Sequence, residues 1–258
     1  MPYVSNQGVR IYYQTEGDGA PLVLQHGFSD SLESWYEFGY VDALKSDYQL
    51  ILVDARGHGR SDKPHDPEAY DNPYFVADIV AMLDALSLPK VHYFGYSMGA
   101  GIGFGIATYG ADRIHSFILG GSHPYQPPPA SADPWIPMLQ EGPNAVPSIW
   151  EMDAPISLAL RDRLLSNDVE ALVAYRQKRG ELPGDETVLP TMTMPCLLFA
   201  GEADSRYARV KECITHMPNV TFVSVPDLGH IDTFFRSDLV LPDIKRFLHR
   251  ICHTSDVQ

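Results

Sequence analysis

Val91-His92-Tyr93-Phe94-Gly95-Tyr96-Ser97-Met98-Gly99-Ala100-Gly101-Ile102 changes character at its centre, where a strand-forming apolar run gives way to small residues that lead into a helix. The junction is a G-x-S-x-G pentapeptide, Gly95 to Gly99. A serine in so tight a strand-to-helix turn takes strained backbone angles, and glycines two residues to either side remove the side chains that would collide there. The Ser97 hydroxyl is then held out above the sheet, where a nucleophile is useful.

Working outward, short apolar runs predict strands at Val9 to Tyr13, Pro21 to Gln25, Leu50 to Asp54 and Val91 to Tyr96. Between the last two, Phe75, Val76, Ile79, Val80, Leu83 and Leu86 carry the spacing of a helix with one buried face over Tyr74 to Leu88, with Asn72-Pro73 as its start. Strand, helix, strand is a βαβ unit. After the helix that follows Ser97, Ser116 to Leu119 reads as another strand. From Pro124 to about Pro190 the alternation breaks: prolines are dense and only short helical stretches such as Val169 to Lys178 stand out, so this segment reads as an insertion. Alternation resumes with a strand at Cys196 to Ala200, a helix near Tyr207 to Met217, a strand at Thr221 to Val225 and a helix from Pro242 to Ile251. Continuous apolar strands joined by helices predict a mostly parallel sheet covered on both faces, with chemistry at the carboxyl ends of its strands.

A serine hydroxyl needs a base in hydrogen-bond reach and a carboxylate to hold that base in the right tautomer. Gly201-Glu202-Ala203-Asp204 follows one late strand and Asp227-Leu228-Gly229-His230 the next, giving the chain order Ser97, Asp204, His230. Glu202 competes with Asp204 for the acid's place, and Asp204 would also suit a helix N-cap. Backbone N–H groups for a developing oxyanion are expected from Met98, next to the serine, and from Phe28 in the loop Gln25-His26-Gly27-Phe28. His26 reads as a residue that fixes loop shape. Asp54-Ala55-Arg56-Gly57-His58-Gly59-Arg60-Ser61-Asp62 lacks a phosphate-loop or dinucleotide pattern and reads as a brace for the site.

Composition narrows the partners. The 258 residues allow a single domain with an insertion, and a formal net charge of -14 opposes nucleic acid and anionic lipid surfaces. The opening Met1-Pro2-Tyr3-Val4-Ser5-Asn6 has no basic stretch followed by an apolar core, and no run suits a membrane-spanning helix, so a cytoplasmic protein is expected. Cys196, Cys213 and Cys252 form no C-x-x-C pair and read as reduced structural thiols. His58, His65, His92, His115, His123, His216 and His253 show no metal-ligand spacing, so neither metal nor cofactor is expected.

Taken in order, these five motifs resemble the α/β-hydrolase superfamily, and within it the compact esterase, lactonase and cofactor-free haloperoxidase group. The resemblance implies an eight-stranded, mainly parallel sheet with a helical cap inserted after the sixth strand. The division expected is a core of residues 1–123 and 191–258 and a cap of residues 124–190. Serine at the elbow separates the chain from dehalogenase and epoxide-hydrolase branches, which carry aspartate there. One departure is Ser205-Arg206-Tyr207 after the acid, where relatives commonly carry proline. The activity implied is hydrolysis of a small or medium carboxylic ester through an acyl-enzyme on Ser97. Lactones, including acyl-homoserine lactones, are the close alternative. Haloperoxidase or perhydrolase, hydroxynitrile lyase and non-turnover receptor readings remain open on the same three residues. Trp135, Met138, Leu139, Ile149, Trp150 and Met152 offer an apolar acyl pocket, and Phe28, His123 and Tyr125 are further candidates for its lining. The oligomeric state is left open.

Overall fold

The computed structural model describes residues 2–254; Met1, residues 255–258 and the side chains of His253 and Thr254 lie outside the described residues. Eight strands form one sheet: β1 (Tyr3–Asn6), β2 (Val9–Glu16), β3 (Ala20–Gln25), β4 (Tyr48–Val53), β5 (Val91–Tyr96), β6 (Ile114–Gly120), β7 (Cys196–Gly201) and β8 (Val220–Val225). Their spatial order is β1-β2-β4-β3-β5-β6-β7-β8. The β1/β2 and β2/β4 pairs are antiparallel, and every pairing from β4 through β8 is parallel.

Alternation along the strands explains the three layers. Val23, Ile51, Tyr93, Phe117 and Leu198 bury one face of the sheet, whereas Leu22, Leu24, Leu50, Phe94, Ile118 and Phe199 bury the other. A strand apolar on both faces is stable only between two layers of helix. The first face receives α3 (Asn72–Ala85) and α4 (Met98–Tyr109), through residues such as Phe75, Ile79, Leu83, Ile102 and Phe104. Against the second pack α1 (Glu33–Glu37), α2 (Tyr40–Leu44) and, later in the chain, the long terminal helix. Each large side chain so buried contributes about 1.5–3 kcal/mol.

Between β6 and β7 run α5 (Trp135–Gln140), α6 (Ala145–Glu151), α7 (Leu158–Leu165) and α8 (Val169–Arg179). They share a small apolar cluster of Leu139, Val146, Ile149, Trp150, Leu160, Leu164 and Leu172, which rests on Phe28, Phe38 and Phe235. Beyond β7 come α9 (Tyr207–Cys213), α10 (His230–Phe235) and α11 (Ser237–Thr254).

Several boundaries differ from the sequence reading. β1 was not anticipated: it is four residues long at the sheet's edge, too short to display a period. The five-residue α1 and α2 escaped for the same reason. The last helix begins at Ser237 rather than Pro242, because a proline that often starts a helix here lies within one.

The Asp54 loop is a brace. Asp54 Oδ1 accepts the Leu32 N–H and Oδ2 the Arg60 N–H, both at 2.8 Å. Next to it, the buried Arg56 guanidinium donates to both carboxylate oxygens of Asp78, on α3, at 2.7 Å. Among the described residues no helix is long and apolar enough to cross a membrane.

Candidate active site

The turn from β5 into α4 sets the geometry. Ser97 sits at φ 53°, ψ -111°, outside the regions that ordinary residues prefer. The flanking glycines are required by contact: a Cβ on Gly99 would lie 2.1 Å from Gln25 O, and one on Gly95 would lie 2.3 Å from Gly99 O. Side chains at either position would force the turn apart.

His230 is the first residue of α10, directly after the loop that leaves β8. Its Nε2 is 2.8 Å from Ser97 Oγ, and its Nδ1 is 2.6 Å from Asp204 Oδ2. A proton on Nδ1 suits the carboxylate, and in that tautomer Nε2 has a lone pair facing the Ser97 hydroxyl. Tyr96 donates its hydroxyl to His230 O at 2.5 Å and so holds the backbone of the same residue. Glu202, the competing acid, faces elsewhere: it is exposed and accepts the Ser224 hydroxyl at 2.6 Å.

Asp204 turns on the loop after β7, where its Oδ1 accepts the Arg206 N–H at 2.9 Å and lies 3.4 Å from the Arg206 guanidinium. Burial alone would raise its carboxyl; the His230 hydrogen bond and charge, helped by Arg206, outweigh burial and hold it below the usual carboxylate range. Burial lowers the His230 pKa, and the Arg206 charge lowers it further against the opposing pull of Asp204. At neutral pH the imidazole is therefore an unprotonated base. Arg206 was not singled out from the sequence. Its only signal was its place two residues after the acid, where relatives commonly continue from a proline.

The loop after β3 lies against the serine: a Cβ on Gly27 would be 3.4 Å from Ser97 Cβ and 4.0 Å from its Oγ. Neither the Phe28 N–H nor the Met98 N–H has a hydrogen-bond partner among the described residues. Met98 opens α4, so its N–H belongs to the unsatisfied first turn and carries the positive end of the helix dipole. His26 ties this loop down, donating from Nδ1 to Gly27 O at 2.7 Å and accepting the Ala55 N–H on Nε2 at 3.1 Å. Burial drives its pKa down to about 4, so it stays neutral.

Two cavities meet at Ser97. The larger, about 340 Å³, runs past His230 and is walled by Ile149, Trp150 and Met152 of the helical segment and by Phe234. The smaller, about 110 Å³, runs past Met98, His123 and Tyr125 towards α8. Phe28 and Trp135 border both, and their rings stack at 5.9 Å. Met138 and Leu139 border neither; Leu139 is fully buried in the cluster of the helical segment and Met138 packs against it. Among the described residues no group of three His, Cys, Asp or Glu side chains is arranged to hold a metal ion. Cys196 and Cys213 are buried, and burial pushes both thiols up to about 12, which makes them inert.

The family model for the alpha/beta hydrolase fold matches residues 20–183. The chain belongs to that family. The hydrolase is similar to a Bacillus subtilis (strain 168) protein provisionally named 2-succinyl-6-hydroxy-2,4-cyclohexadiene-1-carboxylate synthase, at 26% identity over 255 residues, 87% of this chain and 89% of that one. A Synechocystis sp. (strain ATCC 27184 / PCC 6803 / Kazusa) protein provisionally named a non-heme chloroperoxidase is also 26% identical, across 96% of this chain and 100% of its own length. Among solved structures, the enol-lactonase from Burkholderia xenovorans LB400 superposes with a TM-score of 0.85 at 22% identity, covering 96% of the hydrolase chain and 100% of the enol-lactonase. These names span three reactions, so membership fixes the fold and leaves the substrate to the shape of the site.

Proposed function

We propose that the hydrolase cleaves small or medium carboxylic esters by a two-step acyl transfer on Ser97, with residues 124–190 acting as a cap over the core. The observation that carries this reading is the continuous chain Ser97 Oγ, His230 Nε2, His230 Nδ1, Asp204 Oδ2, with links of 2.8 and 2.6 Å, opening into both cavities.

In the first step His230 Nε2 takes the Ser97 proton as Oγ bonds to the ester carbonyl carbon, and the carbonyl π pair moves onto oxygen. Asp204 stabilises the imidazolium, and the Met98 and Phe28 N–H groups receive the oxyanion; each such donor contributes on the order of a hundredfold to a thousandfold in rate. The tetrahedral adduct collapses, the C–O bond to the alcohol breaks, and the imidazolium gives its proton to the departing oxygen. Water then repeats the attack on the acyl-enzyme, with the same base removing its proton, and releases the acid while restoring Ser97 O–H. A lactone is opened by the same steps, its alcohol staying attached to the acyl chain.

A panel of p-nitrophenyl esters of graded acyl length, run with several lactones on wild type and Ser97→Ala at neutral pH, tests this reading. Turnover by wild type that is nearly lost in Ser97→Ala supports it. Equal activity in both proteins removes Ser97 as nucleophile. Inactivity of both on every member turns attention to peracid-dependent halogenation, cyanohydrin cleavage or ligand retention.

A further inference from the structure

The two cavities that meet at Ser97 differ in charge. The larger is walled mainly by aromatic and aliphatic side chains on the His230 side, with the Asp30, Asp153 and Asp204 carboxylates also in its wall and Arg206 shared with the smaller. Into the smaller come three guanidinium-bearing residues, Arg176, Arg179 and Arg206, against one carboxylate, Asp185, which accepts the Thr108 hydroxyl. Arg176 is already committed: it donates to Asp133 at 2.7 Å and lies over the Trp135 ring, 4.4 Å from its centroid. Arg206 is held 3.4 Å from Asp204. Arg179, at the end of α8 and half-buried, has no carboxylate or other side-chain partner among the described residues.

A cation placed among cations in a half-buried cavity is unfavourable unless an anion arrives, and a planar guanidinium matches a carboxylate best. A second feature of the same cavity is independent of charge. His123 Nδ1 is buried and has no hydrogen-bond partner among the described residues. Burial, followed by the nearby Arg179, lowers the ring's pKa to about 4, so His123 is a neutral imidazole in the wall of the same cavity as Arg179.

The reaction decides which half of the substrate enters here. His230 must hand its proton to the departing alcohol, so the alcohol leaves on the His230 side, in the larger cavity, where the wall beside it carries Ile149, Trp150, Met152 and Phe234. His230 does not border the smaller cavity, which begins instead at Met98. Resting on the ester-hydrolase reading above, we propose that the acyl half carries a carboxylate that seats between Arg179 and His123, making the substrate a half-ester of a short dicarboxylic acid with an apolar alcohol. A volume of about 110 Å³ suits a chain of a few carbons ending in that carboxylate. The apolar acyl pocket expected from the sequence becomes the alcohol's side.

The test compares two esters of equal acyl length, mono-p-nitrophenyl glutarate and p-nitrophenyl valerate, which differ by a carboxylate in place of a methyl group. Wild type is expected to favour the glutarate by about tenfold or more in kcat/KM. Arg179→Gln should bring the ratio to within about threefold of unity, chiefly through KM, and Arg179→Lys should restore part of it. A wild-type ratio at or below one, or the same ratio in Arg179→Gln, overturns the proposal. Calorimetric titration of glutarate into Ser97→Ala, with and without Arg179→Gln, reads the site without turnover. Binding weakened about tenfold by Arg179→Gln supports the subsite even if neither ester is hydrolysed, in which case the ester-hydrolase reading alone falls. Glutarate binding that ignores Arg179, or no binding at all, overturns the subsite even if valerate is hydrolysed well.

Discussion

Trp150, on α6, donates its indole N–H to Ser29 Oγ at 2.9 Å, and Ser29 passes the bond on to Phe28 O at 2.7 Å. Through these two bonds the helical segment between β6 and β7 holds the peptide that follows Gly27. On the proposed mechanism, that stretch presents one of the two oxyanion donors. Trp150→Phe keeps most of the ring and deletes the donor, so kcat is expected to fall by about threefold to tenfold, more than KM changes. Ser29→Ala should do the same, and the double variant should be no worse than either single one. Fully additive losses in steady-state kinetics would show that the two residues act separately.

Asp204→Asn preserves shape but no longer fixes the proton on His230 Nδ1. The expected loss in kcat is on the order of ten thousandfold, the magnitude known for the equivalent change in a serine protease. Glu202→Gln alters an exposed carboxylate bonded to Ser224 and should leave kcat within about twofold. Burst kinetics with a p-nitrophenyl ester measure both; a larger loss in Glu202→Gln than in Asp204→Asn would reverse the assignment of the acid.

The pH profile follows from His230. On the proposed mechanism only the unprotonated imidazole accepts the serine proton; burial with the Arg206 charge lowers its pKa. The acid limb of kcat/KM is therefore expected below the ordinary histidine value of about 6.5. Arg206→Gln removes a cation that disfavours imidazolium, so the limb should move to higher pH. An unmoved or lowered midpoint, measured with an ester that does not ionise in this range, would contradict the role given to Arg206.

Stability has its own weak point at Arg56 and Asp78. Both side chains are almost fully buried and bonded twice at 2.7 Å. Arg56→Met strands the Asp78 carboxyl away from water, an arrangement that costs about 3–5 kcal/mol. Urea unfolding followed by circular dichroism is the measurement. A loss below about 1 kcal/mol would mean that Asn6, which donates to Asp78 Oδ1 at 2.8 Å, is partner enough.

The sequence was most readable where local sterics dictate residue type. Gly95 and Gly99 could be anticipated because backbone oxygens within about 2.3 Å of a would-be Cβ leave no other choice. Strand runs apolar on both faces were visible for the same kind of reason. Asp204 and His230 were singled out by their place after β7 and β8, a rule of topology, and the structure brings both into one hydrogen-bonded chain with Ser97. What stayed hidden was the assembly of separate segments. Arg176 and Arg179 on α8 look like the solvated end of a helix, and Arg206 looks like a loop charge. Nothing in the chain says that they converge on one cavity. Met138 shows the opposite limit: it has the right chemistry for a pocket wall, but its packing against the cluster around Leu139 keeps it from either cavity.

Ser97 and His230 are separated by 133 residues, and Asp204 stands only 26 before the histidine. During synthesis, β3 through β6 and the elbow leave the ribosome long before β7 and β8 exist to dock on the edge of β6. A chain released anywhere before residue 230 lacks the base that the proposed mechanism gives to the serine. On the proposed mechanism, termination before residue 230 should therefore yield inert fragments, and the reactive centre becomes complete only once β8 and the loop that carries His230 have been made.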